Sequence, residues 1–408
     1  MLPLIRIALR NVVRYRRRSL IALSAVFLAL FVMVCVRGFL NGVQSAIREG
    51  VIDGQTGAVQ VHRKGFLAAM QGASLELDVP ADDAFLSRIA RAPHVTAVAP
   101  RILFGGMVNA NDRTVFSLMS ALDPVREAKV CPRRFDHVDQ GALVGKSAPD
   151  GSDLTGALLR RIGARIGDRV AVLSNDRDGV LNAVEVGVAG SFPEAGLFAA
   201  DKKVMMLPLG PSQELLRMPG RATEIAVAVD DLANVGATVA ALRASLGDEY
   251  EVSSWHDVAP FLDDLISTQD AVLGMIVNTF LFMALLGIAN TMLMSVRERT
   301  REIGTMMAVG VRRRQILALF LVEAAILGLA GGALGLGAGG ALIHHWAGTG
   351  LHIKTPASSV PFLVHPFITP AFIARVFIVS TVGATLAALY PALRASRLRP
   401  VEALNTAA

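Results

Sequence analysis

The sequence contains little cysteine, which excludes a fold held together by disulfides. Only two cysteines occur among the 408 residues. Cys35 lies inside an apolar run and Cys131 in a polar region, so the two are not expected to meet. No disulfide framework is predicted. The polar region of roughly 230 residues is long enough to form a core without one.

Complete nucleotide-binding motifs are lacking as well. The stretch from Gly141 to Ser147 has three residues between its glycines where a P-loop has four, so it is predicted to be a turn at the end of a strand. Gly335, Gly337 and Gly340 match G-x-G-x-x-G, but they lie in an apolar run with no preceding strand. No acidic residue follows about twenty residues later, and a dinucleotide site is excluded.

Metal-ligand clusters and catalytic pairs do not stand out. His344, His345, His352 and His365 have no cysteine or carboxylate at ligand spacing, so they are interpreted as loop histidines at the membrane interface. No nucleophile and base form a recognisable pair, which disfavours a membrane hydrolase. The sequence therefore predicts no catalytic, metal or cofactor-binding residues.

What the sequence does contain is apolar residues in separate runs. Hydrophobic residues make up 53% of the chain and the mean hydropathy is +0.49, too apolar for an ordinary soluble domain. The runs lie near the N-terminus and in the last third, whereas residues 41–270 have the composition of soluble protein. The chain is basic, with 40 Lys and Arg against 34 Asp and Glu. Its arginines flank the apolar runs, a pattern typical of cytoplasmic membrane flanks rather than nucleic-acid binding.

Four apolar runs are long enough to cross about 30 Å of hydrocarbon. The first follows Arg14 and Arg16 to Arg18, so a cleaved signal peptide is an alternative, but no small-residue cleavage site follows and a retained helix is favoured. The excess of arginine on one side predicts that both termini lie in the cytoplasm. The predicted segments are a cytoplasmic N-terminal segment 1–19, transmembrane helix 1 at 20–40, an extracytoplasmic domain 41–270, transmembrane helix 2 at 271–296, a cytoplasmic loop 297–314, transmembrane helix 3 at 315–343, an extracytoplasmic loop 344–371, transmembrane helix 4 at 372–391 and a cytoplasmic tail 392–408.

The extracytoplasmic domain is predicted to be α+β. Turn clusters separate β-rich stretches at 57–62, 169–173, 183–189, 204–207 and 224–229. Helical patterns occupy residues 82–92 and 232–246. Two strand-helix-strand units are therefore predicted to flank a β-rich insertion near residues 121–215.

The third apolar run carries small residues at every fourth position. This spacing predicts close packing against another helix, and a helix of a second such four-helix subunit is the expected neighbour. The residues are Gly328, Gly331, Gly332, Gly335 and Gly339. In the same run, Glu323 is an intramembrane acid; it either faces the bundle interior or water, or forms hydrogen bonds near the cytoplasmic face, nine residues after Arg314.

The loop after the second run has a helical amphipathic pattern. The predicted apolar stripe consists of Val296, Ile303, Met306, Met307 and Val309. Charged residues line the rest of the helix, and Gly310 is expected to end it. So much charge exceeds what anchoring at a membrane surface requires.

This loop carries a family resemblance. The sequence SVRERTREIGTMMAVG resembles the coupling helix of FtsX/MacB-type ABC transporter permeases. The stretch IALRNVVRYRRRSL resembles that family's entry to its first helix, and YPALRASRLRPVEAL resembles its exit from the fourth. The segments GAVQVHRKGF, LVGKS and IGDRV resemble parts of its outer domain. The similarity extends over nearly the whole chain.

The resemblance implies a function. A cytoplasmic ABC ATPase dimer would dock on the coupling helix, use the ATP itself and drive the outer domain; the coupling residues would be Arg297, Glu298, Arg299, Glu302, Ile303 and Gly304. No fused ATPase precedes the first helix, so the pattern is most similar to lipoprotein-releasing LolC/LolE-type permeases. The implied partners are a second permease subunit, identical or related, and a periplasmic protein or lipoprotein substrate. The alternative is a membrane-anchored sensor or scaffold that works without ATP.

Overall fold

The computed structural model describes residues 2–69, 75–135, 138–141, 151–192, 203–353 and 362–398. The helices, in chain order, are α1 (Leu2–Arg14), α2 (Arg16–Val51), α3 (Phe66–Ala69), α4 (Asp83–Ala90), α5 (Pro124–Val130), α6 (Gly156–Ile162), α7 (Leu209–Leu215), α8 (Val235–Leu246), α9 (Trp255–Val258), α10 (Pro260–Glu298), α11 (Thr300–Ala308), α12 (Arg313–Thr349), α13 (Pro370–Ala387) and α14 (Leu389–Ser396). A π-helical turn, Ile52–Thr56, follows α2.

The strands, in chain order, are β1 (Val59–Arg63), β2 (Val79–Pro80), β3 (Val95–Ala110), β4 (Arg113–Leu122), β5 (Gln140–Gly141), β6 (Gly151–Thr155), β7 (Arg169–Asn175), β8 (Leu181–Phe192), β9 (Val204–Pro208), β10 (Arg221–Ala222), β11 (Glu224–Val229), β12 (Tyr250–Ser254), β13 (Leu351–Ile353) and β14 (Phe362–Val364). All five predicted strands and both predicted helices of the polar region are confirmed.

The chain divides into two compact units. The helical unit comprises the described parts of residues 1–44, 266–351 and 364–408. The α+β unit comprises the described parts of residues 45–265 and 352–363. Each has its own buried core.

Within the described residues, four helical segments are long and apolar enough to cross a membrane: Arg16–Thr56, Pro260–Glu298, Arg313–Thr349 and Pro370–Ser396. These helices run past the predicted spans. Helix α12 continues to Thr349, so His344 and His345 lie in a helix and not in a loop, which corrects that interpretation. The fourth segment is interrupted at Ala388, between α13 and α14, inside the predicted span 372–391.

The core of the helical unit collects side chains from all four of these segments. Leu30 of α2, Ile288 of α10, Phe320 of α12 and Ala384 of α13 are almost completely buried in it. The α10 segment contributes least, since its outward side chains, such as Met275 and Met283, are exposed. Exposed apolar side chains on a helix of this length are suited to contact with lipid.

Six elements of the α+β unit form a β-α-β-β-α-β arrangement, namely β1, α4, β3, β11, α8 and β12. Strands β12, β1, β11 and β3 lie side by side in that order, and every neighbouring pair is antiparallel. Helix α4 connects into β3, and α8 connects β11 to β12. These are the two predicted strand-helix-strand units, brought together as the split βαβ motif.

The strands in the predicted β-rich region belong to the same sheet as β12, β1, β11 and β3. Strand β3 has 16 residues, and its first half pairs with β11 while Met107 to Asn109 pair with β7. Among the described strands, pairing then continues from β3 through β4, β9, β6, β8 and β7 back to β3, which closes a ring. At the crossing of β7 and β3, a Cβ on Gly106 would lie 2.6 Å from the carbonyl oxygen of Leu173. Glycine is therefore required there for the backbones to approach.

The P-loop-like stretch is only partly described. Gly141 is the last residue of β5 and has a φ of +77°. Gly145, Lys146 and Ser147 lie outside the described residues, as do Lys354 and the tail from residue 399.

Candidate functional site

Helix α11 is the short helix predicted in the loop between the second and third apolar segments. A single residue, Arg299, separates it from α10 and breaks the helical geometry with φ −101° and ψ 12°. At its other end, the amides of Val309 and Gly310 donate to the carbonyls of Thr305 and Met307. Gly310 has a φ of +103°, which ends the helix as expected.

One face of α11 is buried. Ile303 and Gly304 are enclosed, and Met306 and Met307 are partly buried against the core of the helical unit. Val309 departs from the predicted apolar stripe, because it is 82% exposed. It follows the last helical residue, so the helical periodicity no longer applies to it.

The opposite face exposes charge. Arg301 and Glu302 of α11 are exposed, as are Arg297 and Glu298 at the end of α10. The carboxylate of Glu298 pairs with Arg18 of α2. A carboxylate oxygen of Glu302 accepts a hydrogen bond from the Tyr15 hydroxyl at 3.1 Å.

Arg299 lies inside the helical unit, not on the charged face. Its side chain is 3% exposed, and its Nη1 donates to a carboxylate oxygen of Glu323 at 3.2 Å. Its Nε lies 3.3 Å from the carboxylate of Glu302. The guanidinium carbon lies 5.4 Å from the Tyr15 ring centre and 5.5 Å from that of Phe320, within cation–π range. Sequence reasoning grouped Arg299 with the exposed docking residues; the structure gives it a buried position.

Glu323 faces the bundle interior and is hydrogen-bonded to Arg299 of the loop between the second and third apolar segments, so the structure combines features of both alternatives left open by the sequence. It is 5% exposed, and Arg299 is its hydrogen-bond partner. Tyr15 and Arg18 were not singled out from the sequence as part of this site. Tyr15 occupies the one-residue gap between α1 and α2, and an aromatic residue among arginines was the available signal.

The five glycines of α12 lie against other helices of the same chain. A Cβ on Gly331 or Gly339 would be 2.9 Å from Cβ of Val26 or Val34 on α2. A Cβ on Gly335 would lie 2.7 Å from the carbonyl oxygen of Phe27. A Cβ on Gly328 would lie 2.8 Å from Ala384 of α13, and one on Gly332 would lie 3.3 Å from Phe377 of the same helix. The expectation that this surface receives a second subunit is wrong, because α2 and α13 already occupy it.

The part of the chain that the structure describes contains no group of three or more His, Cys, Asp or Glu placed to hold a metal ion. His365 is bonded through Nδ1 to the carbonyl oxygen of Ala347 at 3.0 Å. We therefore assign no metal ion to the four histidines noted in the sequence.

Two family models match the chain. Residues 19–245 match the MacB-like periplasmic core domain, and residues 274–400 match the FtsX-like permease C-terminal domain. The first match covers more than half of the sequence. It begins near the start of the first apolar helix and includes most of the α+β unit. The second match includes most of α10, all of α11 and all of α12.

Curated relatives agree with these matches. The chain is 35% identical over 182 residues to an uncharacterized ABC transporter permease, YvrN, of Bacillus subtilis, covering 45% of this chain and 41% of that protein. It is 26% identical over 430 residues to the macrolide export ATP-binding/permease protein MacB of Brucella melitensis, covering 98% of this chain and 60% of the relative. The chain thus spans less than two thirds of either relative. The periplasmic region of MacB from Actinobacillus actinomycetemcomitans aligns with a TM-score of 0.36 at 12% identity, over 55% of this chain and 97% of that one.

Proposed function

Because this chain belongs to the FtsX/MacB family of ABC transporter permeases, we propose that it is a permease subunit that couples ATP hydrolysis by a separate ATPase to movement of its extracytoplasmic domain. The work of that domain is to extract or export a lipoprotein or another amphiphile. The chain itself binds no ATP in this proposal, and its contribution is mechanical.

The observation that carries the proposal is the amphipathic helix α11. Its apolar side packs into the core through Ile303, whereas Glu302 on α11 and Glu298 at the end of α10 are exposed. Exposed charges of both signs suit a protein partner, because complementary charge guides docking and fixes its register. We assign the docking contact to Arg297, Glu298, Glu302 and the buried support Ile303 and Gly304, and we leave Arg299 out of it because it is enclosed.

Orientation follows from charge. Arg301 lies in α11, and Arg297 and Arg312 to Arg314 flank it in the sequence. Arginine is enriched on the cytoplasmic side of membrane proteins. We therefore propose that α11 and both termini lie in the cytoplasm of a bacterial inner-membrane protein. Residues 45–265 then lie on the outer side.

The proposed substrate class rests on the apolar segments. In the sequence between Arg314 and His344, Glu323 is the only Asp, Glu, Lys or Arg, and it is bonded to Arg299. Intramembrane charges that mark a hydrophilic pathway face a water-filled cavity, whereas this one is buried among side chains. This arrangement favours an amphiphile handled by the outer domain over a solute carried through the bundle.

We also propose that two permease subunits, identical or related, act with an ATPase dimer. The glycine surface of α12 is occupied within the chain, so subunit pairing must use another surface. A periplasmic protein or lipoprotein is the proposed partner of the outer domain.

The test reverses the charge of the proposed docking face. The Glu298→Lys, Glu302→Lys double variant and the wild-type chain are affinity-purified, and recovery of the ATPase and its ATP turnover are measured. Like-charge contact at a docked interface costs several kcal/mol, on the order of 2 or more, so recovery should fall sharply.

The control is the Glu298→Gln, Glu302→Gln double variant, which removes the ion pairs with Arg18 and Arg299 without adding repulsion. It should retain more ATPase than the Lys variant. A helix that merely rests on anionic lipid predicts the reverse order, because each added Lys would strengthen membrane attraction by about 1 kcal/mol. Undiminished ATPase recovery with the Lys variant would contradict the proposed function.

A further inference from the structure

Four parts of the helical unit meet at the side chain of Arg299. Arg299 is the single residue that joins α10 to α11. It reaches Glu323 on α12 at 3.2 Å and Glu302 on α11 at 3.3 Å. Its guanidinium also lies over the ring of Tyr15, the residue between α1 and α2. Any displacement of α11 must therefore either move these neighbours or break their contacts.

The contact with α12 is made by a charged pair that is shielded from water. The side chains of Arg299 and Glu323 are 3% and 6% exposed. Burying two charges loses hydration that their mutual attraction only partly restores, so such pairs are a poor means of adding stability. Apolar side chains in the same places would hold two helices together at least as well. Apolar side chains would, however, define the relative position of the two helices less strictly, because a guanidinium fixes the direction of its hydrogen-bond partners.

The backbone connections around α11 are less suited to carry its displacement to α12. The turn Val309 to Arg312 that leads into α12 is mostly exposed, and Gly310 adopts a left-handed conformation there. An exposed turn of this kind absorbs movement by changing its dihedral angles. The pair between Arg299 and Glu323, by contrast, is enclosed on both sides, with side chains that are 3% and 6% exposed.

Tyr15 extends the same contact to the N-terminal helices. Its hydroxyl donates to Glu302 at 3.1 Å while its ring faces Arg299, so Tyr15 touches two members of the cluster at once. Arg18, one turn later, pairs with Glu298 at the end of α10. The break between α1 and α2 is thus held to the same cluster as the break between α10 and α11.

We infer that Arg299 and Glu323 are positioning residues that transmit displacement of α11 to α12, with Tyr15 transmitting it to the break between α1 and α2. This inference rests on the proposed function, because it assumes that a docked ATPase displaces α11. The two residues contact no substrate and no nucleotide. Their role is to make four helical elements respond together.

The experiment uses the chain in complex with its ATPase in lipid nanodiscs. Hydrogen exchange of residues 313–324 at the start of α12 is measured with and without ATP and vanadate, together with ATPase recovery. The variant is Glu323→Gln, which keeps the size of the side chain and removes its charge. Arg301→Gln on the same helix is the matched control, because that arginine is exposed and lies outside the cluster.

We expect Glu323→Gln to recover the ATPase in wild-type amounts and to lose the nucleotide-dependent change in α12. Arg301→Gln should retain the change. The Arg299→Glu, Glu323→Arg double variant restores the pair in the opposite sense and should regain the change. If the pair were only structural, Glu323→Gln would lower stability, and ATPase recovery and the nucleotide-dependent exchange of α12 would fall together.

Two failures can be distinguished. If the wild-type chain recovers no ATPase, the proposed function fails. If the ATPase is recovered and Glu323→Gln still shows the full nucleotide-dependent change, the inference about this pair is overturned. Should Glu323→Gln not assemble, Arg299→Lys replaces it, since lysine keeps the charge but lacks the fork that reaches Glu323 and Glu302 together; a full response in that variant would overturn the inference equally.

Discussion

The guanidinium of Arg101 donates to both carboxylate oxygens of Glu127, at 2.7 and 2.9 Å, and both side chains are buried in the α+β unit. Arg101 also donates to Glu224 at 2.9 Å and to the carbonyl oxygen of Gln55 at 2.8 Å. It thereby connects β3, α5, β11 and the π-helical turn after α2. Removing one partner would leave a buried charge that is only partly compensated.

The first prediction concerns this network. Glu127→Ala should lower the free energy of unfolding by about 3–5 kcal/mol, because it leaves Arg101 buried with only part of its partners. Denaturant unfolding of the full chain in detergent, followed by fluorescence of the buried Trp255, measures the loss. The control is Glu185→Ala, whose pair with Arg169 is 68% exposed on both sides and should contribute less than about 1 kcal/mol. Equal losses in the two variants would contradict the prediction.

The second prediction is a dependence of stability on pH. Burial lowers the pKa of the His62 imidazole below its ordinary value of 6.5. The unfolded chain then binds a proton more readily than the folded chain, so this stabilisation is present above pH 6.5 and is lost as the pH falls below it. Unfolding midpoints from about pH 8 to about pH 5 should fall less steeply in His62→Gln than in the wild type. Parallel curves would show that His62 is not responsible.

Glu127 makes folding stability depend on pH in a second, more acidic range. Burial alone would raise the pKa of Glu127, but the Arg101 and Arg134 guanidiniums outweigh it and hold the pKa below 4.5. A lowered carboxyl pKa stabilises the folded state above pH 4.5, and this stabilisation is lost as the pH falls through the folded-state pKa. The Glu127→Gln variant should lose the part of the pH dependence that lies below 4.5 while keeping that of His62.

The third prediction concerns helix packing. Gly335→Leu should destabilise the helical unit by roughly 1–3 kcal/mol or more, because the new side chain would meet the backbone of α2 at Phe27. Gly337→Leu is the matched control on the same helix, since a Cβ there would meet no atom within 4 Å among the described residues. Thermal unfolding in detergent compares the two. A larger effect from Gly337→Leu would contradict the packing that the structure shows.

The fourth prediction concerns the orientation of the chain in the membrane. A cysteine replacing Asp178, an exposed turn residue of the α+β unit, should react with an impermeant reagent in intact spheroplasts. A cysteine replacing Arg301 should react only after the membrane is opened. Asp176 is unsuitable for this labelling, because its carboxylate is buried and accepts the amides of Asp178 and Val180. Labelling of the Arg301 position alone in intact spheroplasts would reverse the proposed topology.

The apolar segments, α11 and the strand-helix-strand units could be predicted because each has a local signal. A run without charge, a period of 3.6 residues or a closing glycine such as Gly310 depends only on neighbours in the chain. The LolC/LolE subtype drawn from the resemblance stays a prediction, whereas membership in the wider family is established by the two matching domains.

The sequence by itself therefore determined the four apolar helices, the α+β character of the region between the first two and the amphipathic helix α11. Tertiary structure alone decided that Arg299 turns inward to Glu323, 24 residues away, and that the α12 glycines face α2 and α13. It also decided that the long strand β3 pairs with β11 in one part of the sheet and with β7 in another. The physical reason is that composition and periodicity fix which face of an element is apolar, whereas the partner of a buried charge or a glycine depends on how distant segments pack together.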